Sequence, residues 1–173
     1  MRNVFILIIT ALLVSFASCK KDEIGRGDTV TVTAKTITIT GDTISGTFTV
    51  NDGYYESWND TNHNFVMYDT VSGLQLSFDI YNSNGASGSY VYSVTSPYSN
   101  GDLTNAYIYQ TIAPYVSLST ITAANMTITR SGTSFTIKGS VTFSDYGVTT
   151  TVTIDFTGTL EIYPGGHPYK KGS

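Results

Sequence analysis

The sequence predicts an all-β domain, an antiparallel meander of about eight to ten strands that either curls into a barrel or stacks as a two-sheet β-sandwich. Three observations carry this. From residue 28 onward Thr, Val, Ile, Tyr and Phe dominate, and the 173-residue chain has only 4 Pro, a composition suited to pleated, half-buried strands. No stretch there repeats apolar residues at helical spacing. Turn residues recur between short alternating runs: Gly41-Asp42, Asn51-Asp52-Gly53, Ser72-Gly73, Asn100-Gly101, Ser131-Gly132 and Asp145-Tyr146-Gly147, the residue types that two- to four-residue hairpin connections require.

The strongest element is residues 148–162. Val148, Val152, Ile154, Phe156, Leu160 and Ile162 share one parity, and Thr149, Thr151, Thr153, Asp155, Thr157, Thr159 and Glu161 take the other. One face is therefore core and one is water. At about 3.3 Å per residue such a run would extend roughly 50 Å, well beyond an ordinary strand. Gly158, interrupting the apolar parity, is the expected place for a bend or bulge. The same alternation marks Ile44, Phe48 and Val50; Leu74, Leu76, Phe78 and Ile80; Tyr90, Tyr92 and Val94; Met126 and Ile128; Phe135 and Ile137; Val141 and Phe143. Val30 and Val32 are even-numbered while Ile37 and Ile39 are odd, so a bulge or change of sheet is expected near 34–36. The stretch NDGYYESWNDTNHN, residues 51–64, lacks alternation and reads as a polar loop.

Ahead of the domain, residues 4–17 form an uncharged apolar run behind Arg2, followed by Ala17, Ser18 and the only cysteine, Cys19. The run is too short to span a hydrocarbon core of about 30 Å, which needs about 20 apolar residues, and has the layout of a secretory signal. The segment LVSFASC resembles a bacterial lipobox, although Phe16 stands where Leu is usual. The resemblance implies cleavage before Cys19 and lipidation of its thiol. Cys19 followed by Lys20, Lys21, Asp22 and Glu23 resembles the signal that directs Bacteroidota lipoproteins to the outside of the outer membrane. The expected organisation is a signal peptide over 1–18, a lipidated tether over 19–27, the all-β domain over 28–163 and a flexible tail over 164–173. Two or more acyl chains, each contributing about 0.8 kcal/mol per buried methylene, would hold the protein to the membrane stably. With Cys19 consumed, no thiol remains for a disulfide or a thiolate site.

Two further resemblances concern the domain. Residues 125–162 (NMTITRSGTSFTIKGSVTFSDYGVTTTVTIDFTGTLEI) resemble the closing meander of small Bacteroidota lipoproteins with calycin-like, that is lipocalin-like, barrels, which implies a barrel. Asp28-Thr29-Val30, Asp42-Thr43-Ile44 and Asp69-Thr70-Val71 resemble the sequon at which exported Bacteroidota proteins are O-glycosylated, implying modification at Thr29, Thr43 or Thr70. An Asp turn followed by β-branched residues is also how a strand begins.

Composition narrows function mainly by exclusion. The chain has 9 basic and 13 acidic residues, and its mature cations are scattered, so no nucleic-acid patch is expected. His63 in a polar loop and His167 in the tail read as solvated, and no metal site or cofactor is expected. Asp79, Asp155 and Glu161 fall on polar parity, which reads as solvent-facing and denies them the apolar setting that a catalytic carboxylate pair needs; an enzyme is not expected. Aromatic residues make up 13% of the chain. Tyr54, Tyr55 and Trp58, in the stretch without alternation, are the candidate binding residues, since exposed Tyr and Trp rings stack on sugars or fill a partner's pocket. Folding of this loop over one end of the barrel is the competing role. The expected function is a non-enzymatic surface lipoprotein that binds a glycan or small apolar molecule. The alternative is an accessory subunit of an outer-membrane protein complex, with no small-molecule pocket. A cavity of a few hundred cubic ångströms would favour the first and a core filled by Phe and Ile the second.

Overall fold

The computed structural model describes residues 35–164. These form twelve strands and no helix: β1 (Lys35–Thr40), β2 (Gly46–Thr49), β3 (Asp52–Trp58), β4 (Asn62–Asp69), β5 (Leu74–Tyr81), β6 (Gly88–Tyr92), β7 (Asp102–Gln110), β8 (Val116–Leu118), β9 (Ile121–Ser131), β10 (Ser134–Asp145), β11 (Val148–Thr159) and β12 (Glu161–Pro164). The domain is all-β. A single sheet runs β12-β3-β4-β5-β7-β6-β9-β10-β11-β1-β2, with β8 added to β7, and it curls strongly into a half-barrel of the calycin-like kind.

The long run 148–162 explains the curl. Its first part, β11, pairs antiparallel with β10 and β1; after Leu160 alone it resumes as β12 and pairs parallel with β3. One nearly continuous strand thus joins distant parts of the sheet. Gly158 sits near the end of β11, where a Cβ would press on the Phe156 ring at 3.1 Å and on Lys35 Cε at 3.0 Å. The β10–β11 hairpin keeps register over its whole length around Tyr146 (φ 53°) and Gly147 (φ 80°), the doubly left-handed pair of a type I′ turn. Gly139 lies mid-strand at φ 137°, where a Cβ would collide with the Asn125 carbonyl and Met126 Cα.

The inward face is filled. Tyr55, Phe65, Phe78, Phe135, Phe143 and Phe156 are fully buried together with Ile37, Ile39, Met67, Leu74 and Leu76. Phe65 stacks on Phe78 at 4.9 Å and meets Phe135 edge-on at 5.5 Å. A core packed this way owes its stability to area removed from water and to close contact.

Two sequence expectations are corrected, and two strands that the alternation left unmarked are explained. Residues 51–64 are not a loop: they form most of a hairpin between β3 and β4, turned at Asn59 and Asp60 (φ 52° and 56°), residue types that tolerate the left-handed region. β4 and β7 escape the alternation test because they are apolar on both faces, Phe65 and Met67 inward beside Val66 and Tyr68, and Ala106 and Ile108 inward beside Tyr107 and Tyr109. The meander is also not wholly antiparallel, since β6–β7 and β12–β3 pair in parallel. Register shifts fall between Asp79 and Ile80 and between Thr142 and Phe143. The shift expected near 34–36 falls at the start of the described residues, and residues 1–34 and 165–173 lie outside them.

Candidate recognition surface

Strand pairing fixes the outward face of β12, β3, β4, β5 and β7 row by row. Asp52 lies beside Tyr68, Tyr68 beside Gln75, and Gln75 beside Tyr109. The next row is Glu161, Tyr54, Val66, Ser77 and Tyr107. The third is Tyr163, Glu56, Asn64, Asp79 and Asn105, and the fourth brings Trp58, Asn62, Tyr81 and Asp102 together. Side chains at such positions are near neighbours across a sheet.

The first two rows are a patch of tyrosines. Tyr54 meets Tyr163 edge-on at 5.8 Å and Tyr68 at 6.3 Å, and Gln75 Nε2 donates to Tyr107 Oη at 3.2 Å. Burial pushes the Tyr54 and Tyr68 phenols above their ordinary value of 10.0, so both stay protonated and able to donate. Val66, only 2% exposed, is buried yet stands outside the inward core cluster; its outward position puts it beneath these rings. Beside Tyr68 and Gln75 opens a depression of about 300 Å³, lined also by Asp69, Thr70, Gly73, Leu74 and Thr111.

The third row is polar. Trp58 Nε1 donates to Glu56 Oε2 at 3.2 Å, which ties the 44% exposed indole to a carboxylate only 8% exposed. Asn64 Nδ2 donates to Asp79 Oδ1 at 2.5 Å and to Ser77 Oγ at 3.3 Å, and Asn105 Nδ2 reaches Asp79 Oδ2 at 3.5 Å. Asn64 Oδ1 is buried without a hydrogen-bond partner among the described residues. Burial raises the Asp79 pKa, with the Glu56 charge adding to the shift. The contacts from Asn64 and Asn105 correct the expectation that polar parity leaves Asp79 freely solvated: the pleat faces outward, but the residue is half-buried between neighbouring side chains. Of the other carboxylates on polar parity, Asp155 pairs with Lys138 at 3.3 Å and Glu161 is exposed.

Of the candidate binding residues, Tyr54 and Trp58 share this outward face, whereas Tyr55 turns inward and is 1% exposed. Its ring packs on Phe65 at 5.0 Å and Phe135 at 5.2 Å, with the Arg130 guanidinium 4.7 Å from its centroid. His63, expected to be solvated, is 3% exposed. Its Nε2 faces the Asn82 carbonyl at 2.9 Å and its Nδ1 faces Tyr55 Oη at 2.7 Å. A carbonyl only accepts, so Nε2 carries the hydrogen and Nδ1 accepts from the tyrosine hydroxyl. Desolvation lowers the His63 pKa, and the nearby Arg130 charge acts in the same direction. Both imidazole nitrogens are satisfied in the neutral form, which makes His63 a structural residue.

Thr43 and Thr70 are exposed, and Thr70 donates through its amide and its hydroxyl to Asn51 Oδ1. Cys19, Lys20, Lys21, Asp22, Glu23, Thr29 and His167 lie outside the described residues. No group of three or more His, Cys, Asp or Glu suited to a metal ion occurs among the described residues. The sequence reading missed Glu56, Tyr68, Asp79, Tyr107 and Tyr163 as parts of one surface, since only the pairing of five strands assembles them. No family model, curated protein or solved structure matches the chain.

Proposed function

We propose that the chain is a non-enzymatic surface lipoprotein, anchored to the outer membrane through Cys19 and carrying the Lys20, Lys21, Asp22 and Glu23 export signal, that recognises a glycan on the outward face of β12, β3, β4, β5 and β7. The observation that carries the reading is the juxtaposition on one exposed sheet face of Tyr54, Tyr68, Tyr107, Tyr109 and Trp58 with Glu56, Asn64, Gln75 and Asp79. Sugars present an apolar C–H face and a rim of hydroxyls. Aromatic rings take the first, and amide and carboxylate oxygens take the second. The filled inward face favours this exterior site over a small apolar ligand inside the barrel.

The test is a glycan array probed with the wild-type protein and with Trp58→Ala and Tyr107→Ala. Selective binding that both substitutions weaken supports the reading; no glycan bound, or binding indifferent to both, removes it. The second reading, an accessory subunit of a protein complex, is favoured by two observations: the inward face is filled by Phe and Ile side chains, and Val71, Ile112 and Tyr115 are exposed in the β4–β5 and β7–β8 connections, which Thr111 N bonded to Gly73 O holds together.

A further inference from the structure

We propose that Arg130 anchors an oxyanion site beside the β9–β10 turn of the half-barrel, where it takes a carboxylate or phosphate group. The site is separate from the outward face and does not rest on the glycan reading.

Arg130 is the last inward position of β9, following Met126 and Ile128 on the buried parity and pairing with Phe135. Its guanidinium lies 4.7 Å from the Tyr55 ring centroid and 5.5 Å from that of Phe135, and its Nε donates to Gly132 O at 3.0 Å. A closed circuit of hydrogen bonds holds this arrangement. Arg130 N donates to Ser87 Oγ at 3.0 Å, and Asn82 Nδ2 donates to Ser87 O at 3.1 Å. His63 Nε2 donates to Asn82 O, and Tyr55 Oη donates to His63 Nδ1. The circuit returns to the ring beneath the guanidinium.

The charge held by this framework has no counter-ion. Lys35, Arg130 and Lys138 are the described Lys and Arg residues. Lys138 pairs with Asp155 and Lys35 is exposed, whereas Arg130 is half-buried with no carboxylate at ion-pair distance among the described residues. Asp60, in the β3–β4 turn, is near enough to act on Tyr55 and His63, yet it makes no ion pair with Arg130. A partly desolvated charge without a partner is costly. The aromatic rings compensate the face of the guanidinium and leave its edge unused. With Nε spent on Gly132, the terminal nitrogens remain, and they are not sealed from solvent. Their fixed, planar N–H groups match the paired oxygens of a carboxylate or phosphate. A guanidinium already held in place loses little freedom on binding. A cationic ligand would be repelled, and a neutral one would leave the charge uncompensated.

The experiment is an NMR titration of the isotope-labelled full chain in non-ionic detergent with sodium acetate and with inorganic phosphate. Sodium chloride at matched ionic strength is the control. The Arg130 Nε–H signal is expected to shift saturably, with a dissociation constant of about 1 mM or tighter for at least one of the two oxyanions, and to ignore chloride. The tighter of the two names the class of ligand. Burial lowers the His63 pKa and the Arg130 charge lowers it further, so a bound oxyanion, by offsetting that charge, raises it. Arg130→Lys keeps the charge but not the planar donors, and weakens binding at least about fivefold. Asp60→Asn, at an exposed turn position whose left-handed backbone Asn tolerates, removes a nearby negative charge and tightens binding about twofold or more. If Arg130→Lys folds poorly, Asp60→Asn and the chloride control carry the test. Shifts with acetate and phosphate no larger than those with chloride overturn the proposal. Saturable binding that neither substitution changes overturns it as well.

Discussion

Replacing Tyr55 by Phe tests the inward assignment of the aromatic stretch. The phenyl ring keeps its contacts with Phe65 and Phe135, at 5.0 and 5.2 Å, so the packing loss is small. The hydroxyl is removed, and with it the donor 2.7 Å from His63 Nδ1. His63 Nε2 remains on the Asn82 carbonyl, so Nδ1 becomes a buried acceptor without a partner, which costs about 1–3 kcal/mol. For a domain of this size each kcal/mol moves the melting temperature by about 4 °C, so a fall of about 4–12 °C is expected in thermal denaturation followed by circular dichroism. A second signature comes from pH. His63 has its pKa lowered in the fold from an ordinary 6.5, so the unfolded chain binds more protons between the two values. Stability is complete above 6.5 and declines as pH falls below it toward the folded value, at up to about 1.4 kcal/mol per pH unit. His63→Leu removes this part of the acid sensitivity. An unchanged melt for Tyr55→Phe, or parallel loss of stability in wild type and His63→Leu between pH 7 and 5, would refute the buried Tyr55–His63 pair.

Gly139→Ala sets a Cβ against the Asn125 carbonyl at a positive φ, and is expected to cost more than about 2 kcal/mol in chemical denaturation; a wild-type midpoint would contradict the close β9–β10 approach. Trp58→Ala removes a half-exposed indole and one bond to Glu56, so its melting temperature should fall by no more than about 4 °C, against the 3–5 kcal/mol loss of a buried aromatic. Cys19→Ala should abolish labelling with radioactive palmitate and leave the amino-terminal segment uncut; retained label would remove the basis for the anchor.

Where one face of a strand is apolar and the other polar, the fold was legible in residues alone. β10 and β11 are of this kind, with Phe135, Ile137, Val152, Ile154 and Phe156 inward and threonines outward; the interruption expected at Gly158 falls instead at Leu160, between β11 and β12, and the register with β10 runs unbroken through Gly158. Alternation disappears where tyrosines and Val66 make the outward face apolar too, which is why β3, β4 and β7 read as loop or went unmarked. Those strands build the candidate surface, so the sequence was least legible where function is proposed. Tyr54 and Trp58 were found through their aromatic character. Parity did separate them from Tyr55, but a stretch taken for a loop offered no parity to apply. Asp79 and Tyr107 are distant in sequence from both, and β-sheet register alone brings them alongside.

The most direct measurement of the central claim compares glycan affinity across wild type, the double substitution Tyr54→Ala with Tyr107→Ala, and Tyr146→Ala at the exposed tip of the β10–β11 hairpin. If the outward tyrosine rows bind the sugar, the double variant, still folded by its melting curve, loses at least about 2 kcal/mol of binding, roughly thirtyfold in affinity, while Tyr146→Ala binds as wild type. Undiminished affinity in the folded double variant, or a loss confined to Tyr146→Ala, would contradict the account.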